Sequence, residues 1–208
     1  MARKYKLKRR AEHQEDTRRR IVEATVELHE SVGLAYTTIS AIAERAGVER
    51  ATVYRHFPDE RSLFTACTSH YLAANPPPDP SSLQQIADPE QRLKVGLAEV
   101  YTYHRRTEEM NYRAQRDLPQ FPALAEVLVP YVEHWARLRD VLAAGWQTQK
   151  GDNRLLRAAI GHAMNFQTWR SLAREEDLDD SEAVALMVPM VHCVAQGSED
   201  DNTPYSVT

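Results

Sequence analysis

The sequence lacks the features of membrane-spanning, secreted and disulfide-stapled proteins. No apolar run approaches the roughly 18 residues that a bilayer-crossing helix needs, and acidic residues follow the basic N-terminus where a signal peptide would be apolar. Cysteine occurs only twice, at Cys67 and Cys193, and in no shared motif. Two scattered thiols without a secretory signal are typical of a reducing compartment. We therefore expect a cytoplasmic protein with no disulfide, no metal site and no membrane partner.

Motifs of the common catalytic and cofactor sites are missing too. The chain has no glycine-rich phosphate loop, no Gly-x-Ser-x-Gly turn, no His-Glu-x-x-His and no cysteine pair at zinc spacing. An acidic run at residues 175–180 falls between predicted helices, where solvation explains it. We expect no catalytic residues, no cofactor and no enzymatic activity.

Glycine and proline are scarce, with 7 and 11 residues in a chain of 208, which excludes a low-complexity protein. Leu, Ala, Glu and Arg dominate and favour helix. No stretch of useful length alternates apolar and polar residues as a strand does. The 42% of hydrophobic residues is enough for a substantial core. The composition predicts an all-α fold.

The net charge of −4 is distributed unevenly along the chain. Residues 1–20 carry nine Lys/Arg against Glu12, Glu15 and Asp16, a net charge of +6, so the other 188 residues sum to −10. A basic arm on an acidic body is expected when one end of a protein meets phosphate. A solvated, disordered tail is an equally good interpretation of the arm taken alone.

Changes in periodicity divide the chain into segments. Helical spacing of apolar residues predicts four short helices before a proline-rich stretch at residues 75–82, which cannot be helical. Longer helices are predicted at about 89–109, 131–146, 154–174 and 181–196. The segments are a basic flexible arm at 1–16, a first helical domain at 17–63, a connecting helix and Pro-rich linker at 64–82, a second helical domain at 83–197 and a flexible tail at 198–208.

The strongest local signal lies between Ile39 and Phe57, where a tight turn joins two short helices. Ala43 is small where the helices approach, and Gly47 permits the positive φ that such a turn needs. This pattern predicts a helix-turn-helix, whose second helix enters the major groove of DNA. Arg side chains bind guanine, Ala and Thr methyl groups contact thymine, and Tyr and His reach phosphate. The candidate DNA-binding residues are Thr38, Arg50, Ala51, Thr52, Tyr54, Arg55 and His56.

An ordinary structural role is the competing interpretation of each of these side chains taken singly. The arginines would then be solvated surface residues, Tyr54 a core aromatic and Thr37 only a helix cap. The cluster as a whole, following a basic arm, favours DNA contact.

The segment from about Thr17 to Leu63 resembles the DNA-binding domain of the TetR family of regulators. The resemblance rests on Thr37-Thr38 before Ile42-Ala43, on Ala46-Gly47-Val48 and on Thr52-Val-Tyr54-Arg-His56-Phe57-Pro58. It implies a three-helix, homeodomain-like helix-turn-helix domain and a C-terminal helical bundle for effector binding and dimerisation. The chain departs from the family pattern in having Glu60, followed by Arg61, where a phosphate-binding lysine is usual, and Ala51 where glycine is common.

The last two predicted helices have the apolar faces of a dimer interface. The helix at 154–174 has one stripe through Leu155 and Trp169 and another through Ile160, so it is apolar on two faces. The final helix has a broad face of valines and Met187, although Pro189 should kink it. We favour a homodimer held by an intersubunit four-helix bundle over simple closure of the monomer core, because a helix-turn-helix reader needs two half-sites.

A ligand pocket needs apolar walls with a few polar groups pointing inward. Aromatic, methionine and histidine side chains lie on the apolar stripes of the predicted helices in the second domain. They suggest a small apolar effector, with or without an aromatic ring. For each histidine, a hydrogen-bonded core residue is the competing interpretation. The candidate ligand-binding residues are Tyr101, His104, Met110, Tyr131, His134, Trp135, His162, Asn165, Phe166 and Trp169.

These observations predict a ligand-responsive, DNA-binding transcriptional regulator. The resemblance implies a repressor that a small-molecule effector releases from its operator. The expected partners are double-stranded operator DNA, the effector and a second copy of the chain. Two alternatives stay open: a helical protein-interaction module, and a DNA-binding dimer without an effector.

Overall fold

The computed structural model describes residues 2–147 and 153–197, and all regular structure in these residues is helical. The predicted all-α class is therefore confirmed. Short 3-10 turns lie at Leu34–Tyr36 and Leu118–Gln120, and a π-helical turn lies at Ser171–Glu175. The α-helices are α1 (Ala2–Ser31), α2 (Ile39–Ala46), α3 (Arg50–His56), α4 (Glu60–Ala74), α5 (Pro80–Leu83), α6 (Pro89–Arg106), α7 (Glu108–Asp117), α8 (Pro122–Val127), α9 (Val129–Ala143), α10 (Asn153–Ala163), α11 (Phe166–Arg170) and α12 (Asp180–Gln196).

The helices form two compact units whose boundaries differ from those expected. Of the described residues, the first unit combines 2–76 with 107–131, and the second combines 77–106 with those after residue 131. Helices α7 and α8, which fall within the second domain expected at 83–197, thus belong to the same unit as α1 to α4. No described helix is long and apolar enough to cross a membrane.

The first unit has its main core between α1, α2, α3 and α4. Ile21 of α1, Ile42 of α2 and Val53 of α3 are at most 2% exposed and meet there with Leu63 of α4. A second, smaller cluster of Leu34, Phe64 and Leu124 joins α4 to α8. This second apolar surface explains why α7 and α8 belong to the first unit, since the side chains of α4 that point away from the main core need cover.

The second unit is built around α6, α9, α10 and α12. Leu97, Leu138 and Ile160 are fully buried at its centre, together with residues of α12. Gly96 lets α6 and α9 approach closely, because a Cβ at this position would lie 2.6 Å from Leu142 Cδ2. The core is therefore packed tightly enough that a single methyl group on α6 forces a rearrangement.

The single helix expected at 154–174 is interrupted in the structure. Helix α10 ends at Ala163, and α11 starts after Asn165, whose side chain accepts a hydrogen bond from the backbone N–H of Gln167 at 2.8 Å. The interruption leaves the carbonyl groups of Ala163 and Met164 free to accept hydrogen bonds from side chains of α6, at 3.0 and 2.9 Å respectively. These non-local bonds compensate for the lost helical ones, which periodicity along the chain cannot reveal.

The basic arm at 1–16 is expected to be flexible, but residues 2–16 are the first half of α1 in the structure. No proline or glycine interrupts the sequence from Ala2 to Ser31, so one helix continues from the arm into the core. Thr17 is the first buried residue among the described side chains of α1. The tail expected at 198–208 lies outside the described residues.

Candidate nucleic-acid interface and effector site

The turn between α2 and α3 has the backbone geometry that the sequence predicts. Gly47 adopts φ 63° and ψ 43°, the left-handed conformation in which a glycine carries no steric penalty. The N–H of Val48 donates to the carbonyl oxygen of Ala43 at 2.9 Å and closes the end of α2. At its start, the hydroxyl oxygen of Thr38 accepts from the N–H of Ala41 at 3.1 Å. The turn fixes α3 relative to α2.

Helix α3 presents its polar residues away from the core. Val53 is fully buried, whereas Arg50, Ala51 and Arg55 are exposed. Tyr54 is 50% exposed, so its ring is not a core aromatic. The structure thus brings the predicted residues of α3 together on one accessible surface, where Thr52 and His56 are half-buried at its edges.

Two arginines of α1, which the sequence analysis did not single out, support this surface. The guanidinium of Arg20 donates to the carbonyl oxygens of Ala46 and, at 3.0 Å, Gly47. The guanidinium of Arg18 lies 4.4 Å from the centre of the Phe57 ring, at the end of α3. Burial, together with the nearby charges of Arg55 and Arg18, lowers the pKa of His56. A sequence signal existed, because Arg18 and Arg20 lie between Thr17 and Ile21, two buried positions one helical turn apart on α1.

The start of α4 differs from the family pattern in its charge. Asp59 caps the helix by accepting from the N–H of Ser62 at 2.7 Å. Glu60 is exposed in the first turn. The next residue, Arg61, donates to Glu126 of α8 at 2.6 Å. The positive charge that could replace the family's lysine is therefore paired with a carboxylate.

In the second unit, His104 of α6 is the centre of an aromatic cluster. Its ring stacks on Trp135, with centres 5.6 Å apart, and meets Phe166 edge-on at 5.5 Å. Its Nε2 lies 2.9 Å from the carbonyl oxygen of Met164 and so carries the proton. Burial lowers the pKa of His104 to about 4, and Nδ1 is left without a hydrogen-bond partner. His104 is thus a neutral side chain with one unsatisfied acceptor.

Two more predicted residues complete this cluster. Trp169 is fully buried, and its indole N–H donates to Asp180 at 3.0 Å. The buried hydroxyl of Tyr101 donates to the carbonyl oxygen of Ala163, and burial raises the pKa of this tyrosine. Five of the ten predicted ligand-binding residues therefore lie together: Tyr101, His104, Trp135, Phe166 and Trp169.

The other five predicted residues are placed differently. His134 lies at the edge of the cluster, where Nε2 is 2.9 Å from the carbonyl oxygen of Pro78 and the ring meets Trp135 edge-on. His162 and Asn165 are exposed, and Asn165 acts as the cap of α11. Met110 and Tyr131 belong to the first unit. Among residues 2–147 and 153–197, no group of three or more His, Cys, Asp or Glu side chains could hold a metal ion.

Acidification should destabilise the protein between pH 6.5 and about 4. Burial lowers the pKa of both His29 and His104 to about 4. The unfolded chain therefore takes up these protons near pH 6.5, whereas the native chain does so only near pH 4. These two histidines therefore leave the free energy of unfolding unchanged above pH 6.5, and each lowers it by up to about 3 kcal/mol as the pH falls toward 4. Urea titrations of His29→Gln and His104→Gln should show a shallower dependence on pH than wild type, and parallel curves would contradict the assignment.

Comparison with known proteins matches the N-terminal segment to regulators. A family model described as "Bacterial regulatory proteins, tetR family" matches residues 21–67. An uncharacterized HTH-type transcriptional regulator of Mycobacterium bovis is 41% identical over 59 residues, which is 28% of this chain and 31% of that relative. The alignment with this relative thus spans under a third of its length.

Solved structures match almost the whole chain at low sequence identity. A TetR transcription regulator from Haloarcula marismortui has a TM-score of 0.58 at 18% identity, with 87% of this chain and 97% of that one covered. NalD, the secondary repressor of the MexAB-OprM multidrug efflux pump in Pseudomonas aeruginosa, has a TM-score of 0.59 at 22% identity, with 90% and 99% covered. At these identities the structures establish a shared fold. The sequence match and the helix-turn-helix geometry lie in the same segment, so residues 21–67 form a DNA-binding domain of the kind found in the TetR family of bacterial regulatory proteins.

Proposed function

We propose that this protein is a homodimeric, cytoplasmic repressor that binds operator DNA through two copies of α3 and is released by a small apolar effector. The observation that carries the proposal is the arrangement of α3, in which Val53 is fully buried and the flanking polar side chains face solvent. This is the arrangement that a helix needs to fill the major groove while staying attached to its own core.

Each polar side chain of this surface has a role in the proposal. Arg50 and Arg55 bind guanine edges, and Ala51 with the methyl group of Thr52 contacts thymine methyl groups. Tyr54 and the neutral His56 donate to phosphate oxygens. Thr38 caps α2 by accepting from the N–H of Ala41, so the N–H groups of Ile39 and Ser40 are left for a second phosphate.

Exposed apolar side chains on α10 and α12 support the dimer. On α12, Leu186, Met190 and Val194 recur at intervals of four residues and are 41–53% exposed. On α10, Leu155 is 61% exposed. Because α10 packs against α12, the same two helices of a second copy would complete a four-helix bundle that buries both stripes. Trp169, which is expected on the same stripe as Leu155, lies in the core of the second unit instead, because the helix is interrupted after Ala163.

The aromatic cluster around His104 supports an effector site in the second unit. An apolar ligand bearing one N–H or O–H donor would satisfy Nδ1 of His104, which has no partner among the described residues. The half-buried Trp135 is the ring whose movement would admit it. Such a ligand binds only a rearranged cluster, so it favours a second conformation of α6 by its differential affinity.

Chain connectivity gives this shift a route to the first unit. Only Thr107 separates α6 from α7, and α7 packs against α1. At the end of α7, the buried carboxylate of Asp117 accepts from the backbone N–H of Ala35, just before α2, at 3.0 Å. Movement of α6 would therefore displace the helix-turn-helix and destroy the roughly 34–36 Å spacing that two major grooves require.

The repressor role is supported by one of the structural neighbours, since NalD is itself a repressor.

The experiment is a selection of duplexes from a random pool by the full-length protein, followed by fluorescence anisotropy across a salt series. We expect selective binding that weakens linearly on a log–log plot of affinity against salt. A panel of apolar, hydroxyl-bearing aromatics is then added to the complex, and one class should release the DNA. Failure to select any duplex would favour the protein-interaction module, and selective binding that no compound alters would favour a dimer without an effector.

Restoring the family's lysine at the start of α4 should strengthen DNA binding. Glu60 is exposed beside the proposed DNA surface, and its carboxylate repels phosphate. We expect Glu60→Lys to bind the selected operator at least about tenfold more tightly in low salt, with a steeper salt dependence. Glu133→Lys, an equal charge change at an exposed residue of the second unit, is the matched control. Equal affinities for Glu60→Lys and wild type would remove α4 from the interface.

A further inference from the structure

The first half of α1 is a helix whose described side chains are exposed. Tyr5 is 63% exposed, and every residue from Lys8 to Glu15 is exposed. The first contact with the core is at Thr17. We call residues 2–14 the N-terminal extension. At about 1.5 Å per residue it is roughly 20 Å long, close to the length of six base pairs of DNA.

The N-terminal extension is basic, whereas the N-terminal end of a helix ordinarily favours acidic residues. Six Lys/Arg and no acidic residue stand between Ala2 and Ala11, and the first turn contains no Asp or Glu. The N-terminus of a helix has a positive partial charge, so cations there are unfavourable, and like charges one turn apart repel. Lys8 lies 3.7 Å from Glu12, but Arg10 has no ion-pair partner within the described part of the chain. A polyanion alongside would relieve both penalties.

The N-terminal extension leaves the core beside the proposed DNA-reading surface. Arg20 holds α1 to the carbonyl group of Gly47 in the turn, and Arg18 holds it to Phe57 at the end of α3. The charge of Glu15 is close enough to affect His56. Residues 15–18 of α1 thus lie next to the C-terminal end of α3, and the cationic residues continue along the same helix from there toward its N-terminus.

We propose that the N-terminal extension lies along the phosphate backbone of double-stranded DNA outside the base pairs that α3 reads. This inference rests on the proposed function and adds to it a second DNA-binding element that recognises charge instead of sequence. Its length and its six cations match a run of flanking phosphates, which a duplex supplies at one charge per roughly 1.7 Å of axis. The operator then has to be longer than its two half-sites.

The test compares Arg9→Gln/Arg10→Gln with wild type on the selected operator carrying 0, 5 or 10 flanking base pairs at each end. Gln keeps a good helix propensity, and far-UV circular dichroism checks it. A dimer of this variant loses up to four phosphate contacts. On the duplex with 10 flanking base pairs, the ratio of wild-type affinity to variant affinity should therefore fall about 100-fold between 50 and 200 mM salt. On the duplex without flanks the two proteins should bind equally. Lys94→Gln/Arg137→Gln, with the same charge loss in the second unit, should behave as wild type.

The outcomes separate this inference from the proposed function. If Arg9→Gln/Arg10→Gln and wild type bind the selected operator with the same affinity and salt slope at every flank length, the N-terminal extension does not contact flanking DNA, while the reading role of α3 stands. If the variant is equally weakened with and without flanks, the extension contacts the half-site itself and the inference is wrong. If the full-length protein selects no duplex at all, both are overturned.

Discussion

Met190→Glu in α12 is expected to turn the dimer into a monomer and to abolish operator-selective binding. Met190 is 53% exposed in the single chain and lies on the stripe that the proposed four-helix bundle buries. A dimer would bury two unpaired carboxylates near each other, at a cost of several kcal/mol. A monomer keeps one reading helix, so its affinity should fall by at least about 1,000-fold, to the level of non-specific binding. Light scattering coupled to size-exclusion chromatography and anisotropy on the selected operator measure the two effects.

Val132→Glu is the matched control for this variant. Val132 is 63% exposed on α9, so it introduces the same charge at an apolar surface residue outside the proposed bundle. It should remain dimeric with wild-type affinity. If Met190→Glu is also dimeric, with an unchanged melting temperature, the interface is not formed by α12 and the proposed bundle has to be abandoned.

Arg50→Ala/Arg55→Ala is expected to have a comparably large effect on DNA binding without changing the fold. Both side chains are exposed on α3, and neither contributes to the buried core. Each bidentate contact of an arginine with guanine contributes about 1–3 kcal/mol of discrimination, and a dimer makes four of them. We therefore expect the selected operator to be bound at least about 1,000-fold more weakly, at the level of scrambled DNA. Anisotropy on both duplexes gives the specificity ratio.

Lys94→Ala/Arg137→Ala removes the same charge from exposed positions of the second unit and is the control for this double variant. It should preserve the specificity ratio. Two results would count against the assignment of α3 as the reading helix: a loss of affinity that is equal for operator and scrambled DNA, and no loss at all. The first would leave these arginines as phosphate contacts only.

The family assignment also bears on chemistry that the sequence excluded. The family model that matches residues 21–67 describes regulatory proteins, which agrees with the expectation that this chain is not an enzyme. The acidic run before α12 has a structural explanation in part, since Asp179 caps that helix and Asp180 accepts bonds from Arg105 and the indole of Trp169. These carboxylates hold α12 in place.

The sequence by itself determined the helix-turn-helix. Ala43, Gly47 and Val53 act through contacts within twenty residues of the chain, where a small side chain, a positive φ and one buried position on a short helix are readable from spacing alone. The same locality explains why the exposed face of α3 and its candidate DNA contacts could be named residue by residue. Only side chains that reach across from α1, such as Arg20, were missed.

Only the tertiary structure decided which of the aromatic and histidine residues lie together. His104 and Met164 are 60 residues apart, and the bond between them accompanies an interruption of a helix that apolar periodicity predicts to be continuous. Likewise, Asp117 and Ala35 place α7 in the first unit through a contact 82 residues apart. Periodicity reports which face of a helix is apolar but not which partner covers it, so contacts between distant segments, and the helix ends that they stabilise, are decided by packing.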